Sequence, residues 1–444
     1  MIRIWALFFL LLPEFVNSQS LNQLGFIQDS LVAQSDPDEY FALYLPEKSS
    51  GPKKVILFFE PVGRAYLPLR LYKDLANEYG YALICPYGSQ NGAFQPTLKA
   101  ANAMLSELEL MGYERDQIYT SGFSGGARAA TAIQKLHGLA GVIAVAGAWP
   151  PSEKYRPSAG DALSYVAIVG DKDMNMVEHG EYQNYLTSLS IPNAIVYYPA
   201  GHQWPPQSVY KQGLEWIGRS SGGYEQMLSY ADSLLAVNEY LGYLQWQQWA
   251  QYPSSNFPVG QFEDKLEALQ GNPEIMQVVA DHELARKKQV ELRKGYDQAL
   301  QQLRTDLFKQ VPSEYGIAWW KTEVRKLIKW SDSQDQAIAM MADRIMDGLR
   351  GAIHLMIKEA TEYNRFEMAE ELNRIMLLMY PSSVLYNFNQ AIYLALQGKY
   401  KKAKGWLITA QELDLCMLNR IRSNPLYGRL KSQEEYRFLF DVVE

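Results

Sequence analysis

An apolar stretch, Gln117-Ile118-Tyr119-Thr120-Ser121, runs straight into Gly122-Phe123-Ser124-Gly125-Gly126 and then into the small-residue helix start Ala127-Arg128-Ala129-Ala130. A serine between two glycines, after a strand and before a helix, fits a sharp turn that exposes its hydroxyl above a sheet. The glycines permit the bend and let neighbouring backbone pack close to it. A strand, a strained turn and a helix in that order constrain the architecture more than any other feature of the chain. The five-residue pattern alone is weak. With Gly and Ser each near roughly 7% of residues, a chain this long shows it by chance about one time in seven. Its meaning rests on whether an acid, a histidine and an oxyanion donor fall where such a turn requires them.

From about residue 39 to 217, strand-like apolar runs alternate with helical patterns, which predicts a mostly parallel sheet. Residues 40–45 read as an early antiparallel strand. Residues 55–59 and 81–85 read as buried strands around a helix over 67–79, and 97–111 as the next helix. Residues 118–122 lead into the serine turn, and 141–147, 165–170 and 194–198 supply the remaining strands. Ser124 thus falls on the third major parallel strand. The run Gly218-Arg219-Ser220-Ser221-Gly222-Gly223 is flexible in composition and marks a domain boundary. The expected organisation is a leader over 1–18, a catalytic domain over 24–219, a helical region over 224–350 and helical repeats over 351–444.

Beyond residue 224 the pattern is helical, with breaks at 253–260, Gly271-Asn272-Pro273 and Val311-Pro312-Ser313; Ser313 and Ser331 are expected helix N-caps. Phe366 and Ala369 recur 34 residues later as Tyr400 and Ala403, and Asn364 recurs as Gly398. Residues 386–413 have the small-residue and aromatic spacing of a helical hairpin. This unit resembles a tetratricopeptide repeat, whose period it matches. Asn424-Pro425-Leu426-Tyr427, with Leu430, Tyr436 and Leu439, looks like the capping helix of such an array. Two units are legible, and arrays of this kind need three or more, so residues 224–352 are expected to supply the missing helices.

The candidate chemistry lies downstream of Ser124. The strand over 165–170 ends in Asp171-Lys172-Asp173-Met174-Asn175, where a carboxylate can orient an imidazole and stabilise its cation. Asp171 and Asp173 both compete for that role, and the spacing Gly170-x-x-Asp173 favours Asp173. The last strand is followed by Ala200-Gly201-His202-Gln203-Trp204-Pro205, and the order Ser, Asp, His follows from Ser124, Asp173 and His202. The other four histidines fit the role less well: His137 ends the helix after the elbow, His179 starts the next one, and His282 and His354 lie in the helical region. One oxyanion donor is expected from the Gly125 N–H. The second is expected from Val62 or Gly63 in the loop Glu60-Pro61-Val62-Gly63-Arg64, since Pro61 has no N–H. Arg64, Trp149 and Trp204 are weaker candidates for contacting substrate; Arg64 reads equally as surface, Trp149 as core, and Trp204 as a brace for the histidine loop.

Residues 53–217 resemble the α/β-hydrolase superfamily. Ser121 to Gly126 and Gly201-His202-Gln203-Trp204-Pro205 are similar to its polyhydroxybutyrate-depolymerase and feruloyl-esterase-like group, where a Gly-His-x-Trp-Pro stretch carries the histidine. The resemblance implies an exported serine esterase with no cofactor. This chain has Gly125 where that group often has Asn, and its Glu60 to Arg64 loop is unusual, so the resemblance does not extend to a particular substrate.

Net charge −7 and an isoelectric point near 5.5 disfavour a nucleic-acid binder, which needs basic patches. Arg3, the apolar run 4–12 and the small residues Val16 and Ser18 read as a signal peptide, which predicts a secreted or periplasmic protein with no membrane span once mature. Two cysteines, Cys85 and Cys416, make no disulfide framework and are expected to be small buried residues. No metal-ligand spacing is present. The leading reading is an ester hydrolase acting through an acyl-enzyme. A peptidase or amidase with the same triad is the nearest alternative, and an inactive hydrolase carrying a protein-binding helical array is the alternative of a different class.

Overall fold

Parallel strands are covered on both faces, so they read as continuous apolar runs, and such runs set out the first half of this chain. The computed structural model describes residues 23–47, 54–218, 224–251, 259–309, 315–422 and 428–440. The leader over 1–18, the boundary residues 219–223, the expected N-cap Ser313 and the segment 424–427 lie outside the described residues. The chain divides into two compact units between Ile118 and Tyr119.

In the first unit β1 (Ile27–Val32) and β2 (Tyr40–Tyr44) are antiparallel, β2 is antiparallel to β4 (Tyr81–Pro86), and β3 (Lys54–Phe59) lies parallel to β4. Helix α1 (Tyr66–Tyr79) joins β3 to β4, and α2 (Phe94–Leu110) follows. Strand β1 was not anticipated. It is largely exposed, its Gln28-Asp29-Ser30 segment is polar, and a bulge with Ser30 at φ 54° breaks the two-residue alternation. Helix α2 starts three residues earlier than its apolar pattern. Pro96 sits in its first turn, where an N–H has no helical partner to lose.

In the second unit β5 (Ile118–Phe123), β6 (Gly141–Val145), β7 (Ser164–Gly170) and β8 (Asn193–Tyr198) pair in that order, all parallel. Helices α3 (Gly125–His137), α4 (Met176–Ser188) and α5 (Gln207–Gly218) connect and flank them. Every residue of β6 is buried. The chain adopts an α/β-hydrolase fold followed by an all-α region.

That region comprises α6 (Tyr224–Val237), α7 (Glu239–Ala250), α8 (Val259–Gln270), α9 (Pro273–Lys309), α10 (Ile317–Ser331), α11 (Gln336–Glu362), α12 (Phe366–Met379), α13 (Val384–Leu396), α14 (Tyr400–Leu413) and α15 (Leu415–Arg422). Asn272 accepts a hydrogen bond from the Glu274 N–H at 2.9 Å, so Gly271-Asn272-Pro273 both stops one helix and caps the next. Ser331 ends α10 instead of opening a helix; Asp335 caps α11 by accepting from the Ile338 N–H. Helix α10 runs on through Ser331, and the chain turns over residues 332–334 before Asp335 caps the next helix. Cys85 is buried, but Cys416 is exposed on α15, correcting the expectation that both are interior. Asn364 and Gly398 occupy the same turn, with φ 56° and 73°. Both residue types tolerate left-handed backbone.

Helix α7 also completes the sheet edge. Two glutamines one helical turn apart face β8: Gln245 Oε1 accepts from the Tyr197 N–H at 2.8 Å, and Gln248 Oε1 accepts from the Ile195 N–H at 2.9 Å. Gln245 Nε2 returns a bond to the Ile195 carbonyl at 3.1 Å. The side-chain amides do for β8 what a further strand would do, and so close an edge open to mispairing. Gln245→Leu leaves a buried N–H without its acceptor and a carbonyl without this donor, and is expected to cost about 2–4 kcal/mol in urea unfolding. Gln247→Leu, on the neighbouring half-buried position, should change stability little.

Candidate active site

Ser124 has φ 54° and ψ −117°, a conformation that costs a non-glycine residue energy and is held by its surroundings. Its N–H donates to the Val145 carbonyl at 2.8 Å, tying the bend to β6. A Cβ on Gly122 would lie 2.4 Å from Gly126 backbone atoms, and one on Gly147 would lie 2.3 Å from the Ser124 carbonyl. Both positions therefore require glycine for close approach. Beneath the turn, Tyr210 donates to Ser121 Oγ at 2.9 Å, and Ser121 donates to the Ile143 carbonyl at 2.8 Å.

Loops after β7 and β8 bring the other two side chains to Ser124. A Cβ on Gly170 would sit 2.1 Å from the Ala200 carbonyl, so the two loops cross at a glycine. They are stitched there by Asp171 N–H to Tyr198 O and Lys172 N–H to Ala200 O, both 3.0 Å. His202 Nε2 lies 3.0 Å from Ser124 Oγ, and His202 Nδ1 lies 3.0 Å from Asp173 Oδ2. An ionised carboxylate only accepts, so this geometry places the imidazole proton on Nδ1 and leaves Nε2 to accept from the serine hydroxyl. Asp173 is fully buried; its other oxygen accepts from the Asn175 N–H at 2.8 Å, and Asn175 Nδ2 donates to the Ala146 carbonyl at 2.8 Å. Phe123 packs on the His202 ring at 4.7 Å and on Trp204 at 5.4 Å, which fixes the ring from its side.

The competing carboxylate, Asp171, does not reach the histidine. It is buried, Oδ1 has no hydrogen-bond partner among the described residues, and burial pushes its pKa up to about 6. His179, buried in α4, is held near pKa 4 by the same desolvation and is neutral.

Gly125 opens α3, so its N–H belongs to the first turn and has no helical acceptor. The loop donors are engaged elsewhere. Val62 N–H donates to Glu60 Oε2 at 2.9 Å, and Gly63 N–H donates to the Glu60 carbonyl at 3.2 Å. Arg64 is likewise tied to Glu60, with Nη2 at 2.6 Å from Oε1. Buried Glu60 thus holds the backbone of Val62 and Gly63 and the guanidinium of Arg64 within one loop. Trp149 packs edge-on against Tyr182 at 4.7 Å with the Arg156 guanidinium over its ring, a packing role. Among the described residues, no cluster of three His, Cys, Asp or Glu could hold a metal ion, and no helix is long and apolar enough to cross a membrane.

Sequence reasoning gave no role to Gly147, to the close approach at Gly170, to the Phe123 ring or to Asn175. The first two left a signal, as glycines at or just past the carboxyl ends of β6 and β7. Asn175 had none beyond its place two residues after Asp173.

No protein-family model matches the chain, and no curated protein matches it. Among solved structures it is similar to an S-formylglutathione hydrolase (FrmB) from Staphylococcus aureus, 14% identical over 40% of this chain and 90% of the other, TM-score 0.33. A putative dienelactone hydrolase from Klebsiella pneumoniae is 15% identical over 44% and 99%, TM-score 0.36. A ferulic acid esterase is 14% identical over 44% and 98%, TM-score 0.37.

Asp171 generates a pH prediction. Its folded pKa of about 6 stands above the ordinary 3.8, so the native state binds its proton more tightly than the unfolded chain does. Native stability is therefore lost as pH rises from about 4 through about 6, and Asp171→Asn removes that loss. Comparing urea unfolding at about pH 8 and pH 3.5, the variant should gain up to about 3 kcal/mol on the wild type at the higher pH.

Proposed function

We propose that this chain is a serine hydrolase that cleaves carboxylic esters, with Ser124 as nucleophile, His202 as base and acid, and Asp173 as the residue that orients the imidazole. The observation that carries the reading is the unbroken line from Ser124 Oγ through His202 to Asp173, 3.0 Å at each step, on a serine with left-handed backbone. The leader-like run over 1–18 supports action outside the cytoplasm.

In the first half-reaction Ser124 Oγ attacks the ester carbonyl carbon while its proton passes to His202 Nε2. Negative charge then develops on the former carbonyl oxygen. The Gly125 N–H, at the positive end of α3, is positioned to receive it. Buried Asp173 stabilises the imidazolium without taking its proton. Collapse breaks the bond to the alkoxy oxygen, which leaves with the proton from Nε2. Water then attacks the acyl carbon, gives a proton to His202, and the acid departs as Ser124 recovers its hydrogen. Two donors, the Asn175 N–H and His202 Nδ1, hold the Asp173 carboxylate in place.

Ser124→Ala is expected to abolish turnover of p-nitrophenyl acetate and covalent labelling by a fluorophosphonate, with the melting temperature unchanged or raised through relief of local contacts. Asp173→Asn should lower kcat about 10⁴-fold, because the amide favours the wrong imidazole tautomer. Wild-type protein that is neither labelled nor active would sink this reading and leave a non-catalytic scaffold. Faster cleavage of an amino-acid anilide than of the matching ester would move the assignment to an amidase.

A further inference from the structure

The loop that carries Asp173 is gripped from the helical region. Arg344 on α11 is 4% exposed and donates from Nη1 to the Asp171 carbonyl at 2.8 Å. Its Nε donates to Gln289 Oε1 on α9 at 2.8 Å, and the guanidinium also meets Met176 Sδ at 3.8 Å. One residue earlier on α11, Asp343 pairs with Lys172 at 2.9 Å. One turn later, Gly348 and Gly351 present no side chain to Met174: a Cβ on either would sit 3.6–3.8 Å from it. Arg293 on α9 adds a bond to the Met174 carbonyl at 3.4 Å. Four residues around the acid, Asp171, Lys172, Met174 and Met176, are thus touched by two helices from outside the sheet.

The chemistry of Arg344 says that this is more than coverage. No carboxylate among the described residues lies within ion-pair distance of it, so a cation is buried on a carbonyl, an amide and a thioether. Burying an unpaired charge is unfavourable, and an apolar side chain would cover a sheet end at lower cost. What a guanidinium supplies and an apolar group does not is directional hydrogen bonding, here to the carbonyl two residues before Asp173.

We propose that α11 is part of the catalytic apparatus, with Arg344 a positioning residue that sets Asp173 against His202. This rests on the triad reading above. Displacing the loop by about 1 Å is enough to cost about 100-fold in rate, because the three groups must stay in line.

The full-length chain tests this. Wild type and Ser124→Ala, assayed on p-nitrophenyl acetate, first establish the triad reading. Arg344→Ala should then lower kcat about 100-fold with KM within about twofold of wild type. A cavity of about 420 Å³ lined by Arg344, Arg286, Glu283 and Tyr240 adjoins the vacated position, so millimolar guanidinium should restore turnover to Arg344→Ala and do nothing for Ser124→Ala. Arg344→Lys, which keeps the charge but not the fork, should fall between the two and serves if the alanine variant does not fold. Asn373→Ala removes a buried amide of α12 that bonds Tyr386 O and Gln390, and should lower the melting temperature without changing kcat. Arg344 variants with kcat within about threefold of wild type, or with no guanidinium rescue, overturn the proposal. Should the wild type prove inactive, selective ¹⁵N-histidine labelling decides independently: the hydrogen-bonded Nδ1–H signal of His202 should be lost in Arg344→Ala and kept in Asn373→Ala, and its persistence in both overturns the proposal.

Discussion

The left-handed backbone at Ser124 is the constraint on which the rest of this structure depends. A serine does not choose φ 54° unaided; it is held there by the bond from its N–H to Val145 and by neighbours that leave no room to relax. Gly122 and Gly147 are needed because backbone passes where their side chains would be. Parallel pairing of β5 with β6 and of β6 with β7 keeps those backbones at fixed spacing. The strained turn is thus held by a buried sheet, and it places the Ser124 hydroxyl 3.0 Å from His202 Nε2.

The second half of the chain bears on the same geometry. Gln245 and Gln248 on α7 hydrogen-bond along β8, and β8 leads into the loop that carries His202. Helices α9 and α11 reach the loop that carries Asp173. Two loops that must stay within a hydrogen bond of each other are therefore each supported by a different part of the all-α region.

How much of this was legible in the sequence depends on what made each feature. The parallel strands were readable because burial on both faces writes itself as apolar runs, and the Ser, Asp, His order because it follows strand order. Strand β1 was not, since an exposed edge strand with a bulge carries neither apolar continuity nor strict alternation. Ser331 looked like a helix start because a hydroxyl before an apolar pattern suits an N-cap, and Asp335 competed for the same role four residues on. The roles of Arg344 and Gln245 left no local trace. A buried arginine that bonds a residue 173 positions away is indistinguishable, in one sequence, from an arginine on a solvated helix face. The 364/398 correspondence was the reverse case: a mismatch in residue type that resolved into one backbone conformation.

Asp171 and Asp173 show why spacing needed structure to become chemistry. They share a loop and a residue type, and desolvation acts on both. The difference lies in donors. Asp173 receives an N–H from Asn175 and the Nδ1 of His202, so its charge is met on both oxygens. Asp171 is served through its backbone, with Arg344 on its carbonyl, while one carboxylate oxygen stays without a partner and burial raises its pKa to about 6. A carboxylate that must remain charged beside a cation needs the first environment. One that lies under a packed helix can be left in the second, where its cost falls on stability and not on the alignment of the imidazole. Two acids two residues apart are thereby distinguished by their donors and by burial.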